Sequence, residues 1–326
     1  MKKIFIILSL FSFLFSNDEL LLELAKKNRL EAIPENKIEL LKLTNQSFIV
    51  TDEKIELGKI LFFDPRLSKS NLISCNTCHN LALGGADGIS SAIGHNWSEN
   101  PMKLNSPTVY NAVFAFYQNY SGNIDDLKTQ VSGPIHTDFE MASSKDEIER
   151  KLKKINGYKT LFEKAYGKNT KIDFEEVTEA IAAFESTLIT PSRFDKFLLG
   201  DLDALNSNEK KGLDIFINKR CAQCHKGTAL GGSKVVFRHD RYTYSNIGGF
   251  KGNENKLVKV PTLRNISQTA PYFHNGAIWD LKDAIIEMGK IQLNLKLNKE
   301  DVDYLYDFLK SLDGEKPKII YPMLPY

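Results

Sequence analysis

Two copies of one pentapeptide mark this chain: Cys75-Asn76-Thr77-Cys78-His79 and Cys221-Ala222-Gln223-Cys224-His225. The pattern Cys-x-x-Cys-His is the attachment signature of c-type haem. Two cysteines one helical turn apart can each form a thioether to a haem vinyl, and the histidine that follows then lies under the iron as its fifth ligand. Between them the copies use all four cysteines of the 326-residue chain. A chain so marked is expected to fold around two covalently attached porphyrins. A Cys-x-x-Cys pair can also be half of a structural zinc site, or a redox dithiol. Zinc needs two further ligands at each pair, and no cysteine remains to supply them. A redox dithiol needs no adjacent histidine, let alone one at each of two pairs.

The amino terminus has the form of a secretory signal over residues 1–16. Lys2-Lys3 is followed by an apolar stretch from Ile4 to Phe15, broken only by Ser9 and Ser12, and Ser16 offers a small residue before Asn17 and Asp18. The apolar run is about a dozen residues, short of the ~20 that cross a bilayer. An uncleaved N-terminal anchor is the alternative. Export agrees with the pentapeptides, because c-type haem is attached outside the cytoplasm, so the periplasm is the expected location. No other segment approaches a membrane span, so no stable span is expected once the signal is removed. The net charge of +2 gives no general basic field, which argues against nucleic acid as a partner. With no cysteine left for disulfides, stability must come from packing and from the haems themselves.

Helical periodicity dominates wherever the hydrophobic pattern is clear. Asp173 opens a run with Phe174, Val177, Ile181, Phe184 and Leu188 at spacings of three and four; Asp173-x-x-Glu176 has the form of a capping box, and Pro191 ends the run. Ser144-x-x-Glu147 caps a second helix with Ile148, Leu152 and Ile155 inward, and Gly157 is its expected stop. Asn298 starts the last long helix, with Val302, Leu305, Phe308, Leu309 and Leu312 as its apolar stripe. Further helices are expected at 53–62, 125–131, 208–218 and 280–289. Long Gly- and Asn-rich connections lie at 83–108, 115–124 and 227–257. Loops of that length suit a compact domain when they serve function or wrap a cofactor. Strand alternation is confined to a pair near 234–244. The expected fold is mainly α: two cytochrome c-like haem domains with long loops. One covers 17–190 and the other 191–326, with the crossover near the 173–190 helix and the C-terminal tail free to pack back on the first domain.

A haem iron held by one histidine is open for chemistry, whereas a sixth protein ligand favours electron transfer and sets the potential. The candidates are His95, His136, His239, His274 and the methionines. His95 ends a glycine-rich loop after His79 that could bring it to the open face of the first haem and withdraw it again. Met288, in Ile286-Glu287-Met288-Gly289, follows His225 at a span compatible with wrapping a haem. On spacing alone His95 is as readily a plain loop residue as a ligand, and Met288 is more readily a gap-filling core methionine.

The segment Leu57-Gly58-Lys59-x-Leu61-Phe62-Phe63-Asp64-Pro65-Arg66-Leu67-Ser68, followed by Ile73-Ser74-Cys75 through Asn80, resembles the bacterial dihaem cytochrome c peroxidase family, which also contains the MauG-type oxidising enzymes. The resemblance continues through Gly84-Gly85, Ser91-x-x-Gly94-His95, Asn105-Ser106-Pro107-Thr108-Val109, Gly133-Pro134-Ile135 and Glu140-Met141. In the second half it runs through Thr190-Pro191-Ser192-Arg193-Phe194-Asp195, Cys221 to Gly227, Val260-Pro261-Thr262-Leu263-Arg264-Asn265 and Thr269-Ala270-Pro271-Tyr272-Phe273-His274-Asn275-Gly276. It covers essentially all of the chain after the leader, in family order.

The resemblance implies a cytochrome-c peroxidase that reduces hydrogen peroxide to water with electrons from a small redox protein, a monohaem cytochrome c or a cupredoxin. It also implies a homodimer. The C-terminal haem, on Cys221, Cys224 and His225 with Met288 as sixth ligand, becomes the high-potential entry point for electrons. The N-terminal haem, on Cys75, Cys78 and His79, becomes the peroxide site, with His95 as a detachable sixth ligand. In many family members, reduction of the high-potential haem triggers the loop movement that frees the distal face. Met288 separates the chain from the MauG branch, where a tyrosine takes that position.

The same resemblance places Glu140 beside the bound peroxide. One carboxylate there can take a proton from the near oxygen and return it to the leaving one, and burial would raise its pKa for that task. Gln130, in Leu127-x-x-Gln130-x-x-Gly133-Pro134, is implied to position peroxide by hydrogen bonding. His274 is implied near the second haem's propionates or on the electron path. Asn105, through its side-chain oxygen, with the backbone carbonyls of Thr269 and Pro271, is implied to hold a calcium ion between the domains, waters filling the shell. His136 and His239 are expected at the surface.

One departure from the family pattern stands out. Family members often carry Trp-Asp-Gly-Arg where this chain has Tyr120-Ser121-Gly122-Asn123. Tyr120 is still aromatic and can occupy the space between the haems, but its hydroxyl needs a partner if buried. The change also removes two charges from a loop implicated in activation. It keeps open a second reading, a dihaem electron carrier without peroxidase turnover; a MauG-like oxidase is the third.

Overall fold

The computed structural model describes residues 16–36, 39–40 and 48–326. The expected leader lies outside them except for Ser16. Ser16 caps the helix Asn17–Lys27, its hydroxyl accepting the Glu19 N–H at 3.2 Å while Glu19 accepts the Ser16 N–H at 2.6 Å.

The chain is mainly helical, and each half is carried by two long helices that cross at a glycine. In the first half Asp52–Phe63 packs against Phe174–Glu185, and a Cβ on Gly58 would lie 1.8 Å from the Ala180 carbonyl oxygen. In the second half Ser207–Asn218 packs against Lys299–Lys310, and a Cβ on Gly212 would lie 2.0 Å from the Tyr304 carbonyl oxygen. Only glycine permits either approach. All four helices start on a side chain that accepts a first-turn N–H: Thr51, Asp173, Asn206 and Asn298.

Two hydrophobic cores follow from these pairs. The first gathers Leu57, Leu61, Phe62, Phe162, Val177, Ile181 and Phe184, and the second gathers Phe194, Phe197, Leu213, Phe216, Leu305 and Phe308. The chain ends cross over between them. Leu22, Ala25 and Leu30, at the start, belong to the second core. Ile319 and Leu324, at the end, pack on the first, where the Tyr321 ring lies 4.7 Å from that of Phe63 and Arg66 Nη1 donates to the Pro325 carbonyl at 2.9 Å.

Each half also buries a carboxylate in an arginine fork. Asp64 takes Arg66 at 2.6 Å and the Tyr158 hydroxyl at 2.5 Å. Asp195 takes both terminal nitrogens of the fully buried Arg264 at 2.9 Å, together with the Ile33 N–H and the Ser192 hydroxyl, each at 2.7 Å. Bidentate geometry with every remaining lone pair satisfied is what makes a buried pair tolerable.

Several elements differ from the sequence expectation, the helices expected at 125–131 and 280–289 running instead over Leu127–His136 and Leu281–Leu293. The Ser144-capped helix spans Lys145–Lys153, and Gly157 does not stop it but lies inside a further helix, Asn156–Tyr166. The helix capped by Asp173 ends at Glu185, before Pro191, because the Ser186 and Thr187 hydroxyls donate at 2.7 Å to the Ala183 and Phe184 carbonyls in its last turn. The strand pair is Lys234–Val236 with Leu257–Lys259, antiparallel, its second member well beyond the expected 234–244.

Candidate functional site

The two pentapeptides present their ligands in the same way. Cys75–Cys78 forms a single helical turn, closed by the Ser74 N–H donating to the Thr77 hydroxyl at 2.9 Å. His79 Nδ1 lies 2.9 Å from the Pro107 carbonyl, and His225 Nδ1 lies 3.2 Å from the Leu230 carbonyl. A carbonyl only accepts, so each Nδ1 carries the ring proton and each Nε2 lone pair is left for a metal. Burial lowers the pKa of both rings, that of His225 to about 4, and keeps them neutral. All four cysteines are free. Burial pushes the Cys78 thiol up to about 12 and Cys221 to about 11, and raises Cys75 and Cys224 as well. Among the described residues no group of three or more His, Cys, Asp and Glu side chains gathers, so neither pair has the ligand set of a structural zinc. Paired thiols and an oriented neutral imidazole fit covalent haem.

The surroundings of the two pentapeptides differ. A large, mostly apolar cavity holds Cys221, Cys224, His225 and Met288, and is closed by Leu281, Ile285, Leu305 and Leu309. Met288 reaches it from the helix Leu281–Leu293. The first pentapeptide instead meets polar groups. Cys78 Sγ lies 3.6 Å from the Ile93 carbonyl, at the root of the loop that carries His95, and the Glu140 charge acts on the same thiol. The His95 N–H donates to the Glu140 carbonyl at 2.7 Å. That contact depends on Gly94, where a Cβ would lie 2.1 Å from the Phe139 carbonyl oxygen. His95 Nδ1 and Gln130 Oε1 are both buried without a hydrogen-bond partner. An orphaned His95 nitrogen on a loop bonded to Glu140, whose carboxyl burial holds above the usual carboxylate range, leaves polar groups free for a ligand.

Tyr120 and Lys259 are neighbours in the cavity wall, where the Lys259 N–H donates to the Tyr120 carbonyl at 2.8 Å. The Tyr120 ring lies 6.0 Å from that of Phe250, and burial, then the Asp87 charge, raise its phenol pKa. Asp87 accepts the Ser106 hydroxyl at 2.6 Å, and its charge also reaches His79.

The remaining candidates are placed as follows. Asn105, Thr269 and Pro271 all line the cavity, but Asn105 Nδ2 donates to the Pro271 carbonyl at 2.6 Å, closing that carbonyl with a direct bond. His274 lines the same cavity among Phe237, Tyr242 and Phe250, and burial lowers its pKa to about 4. His136 is exposed, with Nδ1 2.7 Å from the Ser132 carbonyl. His239 is not a free surface histidine: both ring nitrogens are buried without partners, its ring 5.7 Å from that of His274. Lys259 and Glu185 escape a sequence reading. Lys259 ends a three-residue strand just before the Val260–Asn265 segment, and a lone lysine there carries no signal of its own. Glu185 is signalled only by its place on an otherwise apolar helix face, where burial raises its carboxyl to about 8 beside Cys75.

Known proteins resemble this chain in both halves. A family model described as di-haem cytochrome c peroxidase matches residues 52–203, and one for cytochrome c matches 209–313. The cytochrome c551 peroxidase of Nitrosomonas europaea is 44% identical, over 83% of each chain. That of Pseudomonas aeruginosa is 42% identical over 85% of this chain and 83% of its own. Among solved structures, a MauG-like protein associated with microbial copper homeostasis superimposes with a TM-score of 0.72 at 25% identity, over 82% of this chain and 91% of its own. Two Cys-x-x-Cys-His turns, in a chain this similar to cytochrome c peroxidases along most of its length, leave one assignment: the chain belongs to the dihaem cytochrome c peroxidase family.

Proposed function

We propose that this peroxidase works in the periplasm and divides its labour between its halves, the first meeting hydrogen peroxide and the second receiving electrons. The observation that supports the division is a contrast in polarity: an unpartnered His95 nitrogen on the loop bonded to Glu140 by the first pentapeptide, and an apolar cavity with Met288 at the second. When bound, the two haems supply the redox chemistry, electrons entering at the C-terminal one and reaching the N-terminal one, where the O–O bond is cleaved. Glu140 takes the proton from the near oxygen of peroxide and returns it to the leaving oxygen as water departs; a carboxyl held above its usual range suits both steps. Gln130 orients peroxide through its free amide oxygen. With haem bound, His95 would serve as its releasable ligand and would withdraw before peroxide enters. Tyr120 fills the space between the haems.

The donor is a small redox protein, a monohaem cytochrome c or a cupredoxin, and the working form is a homodimer, which sedimentation of the holoprotein tests. Calcium would bind Asn105 and the Thr269 and Pro271 carbonyls only after the Asn105 amide turns its oxygen toward the ion, breaking the bond to Pro271. A chelator should then lower activity, and added calcium should restore it. The two units divide near residue 190, with residues 17–30 packed on the second. Peroxide consumption with a reduced cytochrome donor tests the central role: Glu140→Gln should lower turnover by about 10²-fold or more while both haems stay attached. Full turnover by that variant would remove Glu140 from the mechanism.

A further inference from the structure

Lys259 ends its strand in the wall of the cavity that contains Cys221, Cys224, His225 and Met288. Its ammonium donates to the Gln118 carbonyl and forms no ion pair with an acid of the described residues. Burial lowers its pKa to about 8. An ammonium carries three donors and one charge, and a half-buried charge in an apolar wall without a counter-charge is disfavoured. The other cations of the lining, Lys219 and Arg220, adjoin Cys221 in sequence, and Lys219 is paired with Asp301 at 3.4 Å. Thioethers at Cys221 and Cys224 fix the vinyl edge of a porphyrin, so its two propionates project from the opposite edge. Lys259 is the cation of that lining that does not adjoin the vinyl edge in sequence.

We propose that Lys259 is the cationic partner of a propionate on the haem attached at Cys221 and Cys224, and that this pair raises that haem's potential relative to its neighbour. The pairing rests on haem attachment alone; its second clause rests on the division of labour proposed above. A positive charge beside a haem favours the form with one more electron, and the pair keeps its protons as that electron arrives. Asp87 has the opposite sign: a half-buried carboxylate bonded to Ser106, whose charge reaches His79 of the first pentapeptide. The charge of Lys259 is felt at His79, so the first haem should respond as well; a direct propionate contact at the second haem should make the larger response there.

Spectroelectrochemical titration of the holoprotein tests the pairing without peroxide, so its failure is distinct from failure of the peroxidase reading. Lys259→Met should lower the reduction equilibrium constant of the Cys221–Cys224 haem about tenfold, about 59 mV for one electron, with a smaller fall at the other. Lys259→Arg, which keeps the charge, should stay within about twofold of the parent. The proposal is overturned if Lys259→Met leaves both potentials unchanged, or moves the first haem more than the second. Should Lys259→Met not accumulate as holoprotein, Lys259→Gln, which retains a donor for the Gln118 carbonyl, is read against the same two outcomes.

Discussion

The two haem-attachment turns are nearly the same device in unlike surroundings. Each sets a neutral histidine by bonding its Nδ1 to a backbone carbonyl, but His225 uses Leu230, nearby in sequence, whereas His79 uses Pro107, on a distant loop. The first turn requires the 84–108 loop to fold back. That same loop carries His95 and is bonded to Glu140. The difference teaches where reactivity resides. The pentapeptide fixes a cofactor, and the chain brought in from elsewhere decides what the cofactor can meet.

The largest expected effect concerns the buried forks that hold the halves in shape. Arg264 is fully buried and Arg66 is 29% exposed in its side chain. Arg264→Met should therefore cost about 3–5 kcal/mol, because Asp195 is left charged and buried. Arg66→Met should cost about 1–2 kcal/mol, since Tyr158 still donates to Asp64. Denaturant titration of the two holoproteins checks the order, and equal losses would erase this contrast between the halves.

Next comes the glycine that ties the His95 loop to Glu140. Gly94→Ala places a methyl against the Phe139 carbonyl and must shift one loop from the other. Peroxide turnover should fall about 10²-fold, the scale of a displacement of about 1 Å in a reacting site. The potential of the second haem should not move. A change in both halves would show that the two are not separable.

Glu185 gives a smaller effect with a defined sign. Its carboxyl is raised from 4.5 to about 8 by burial, so the folded chain keeps a proton that the unfolded chain releases. Its contribution to stability is complete below about pH 4.5 and is lost as pH rises toward about 8. Glu185→Gln should flatten stability across that window, read as midpoints of thermal unfolding. An unchanged slope would mean that the proton is held elsewhere.

Much of this was legible in the residues themselves. Cap residues such as Asp173, Ser144 and Asn298 declared their helices because a side-chain acceptor satisfies a local N–H within three residues. The pentapeptides declared their cofactor for the same reason, since thioether spacing is local. What stayed hidden is remote in sequence. Nothing near Asp64 or Asp195 announced that the segments resembling the family would be buried forks reaching Tyr158 and Arg264. Lys259 gained its meaning only when the fold placed it in a cavity built from residues on other elements. Asn105 read as a cation ligand by resemblance, while in the structure its amide is bonded to the Pro271 carbonyl.

The division of labour is tested most directly by electronic and paramagnetic spectra of the half-reduced holoprotein, recorded with calcium present before and after adding hydrogen peroxide. Reduction should go first to the haem on Cys221 and Cys224, a high-spin signal should appear at the haem on Cys75 and Cys78, and peroxide should then be consumed. Two irons that stay low-spin while peroxide persists would contradict the account and leave an electron carrier; so would a high-spin signal at the second haem.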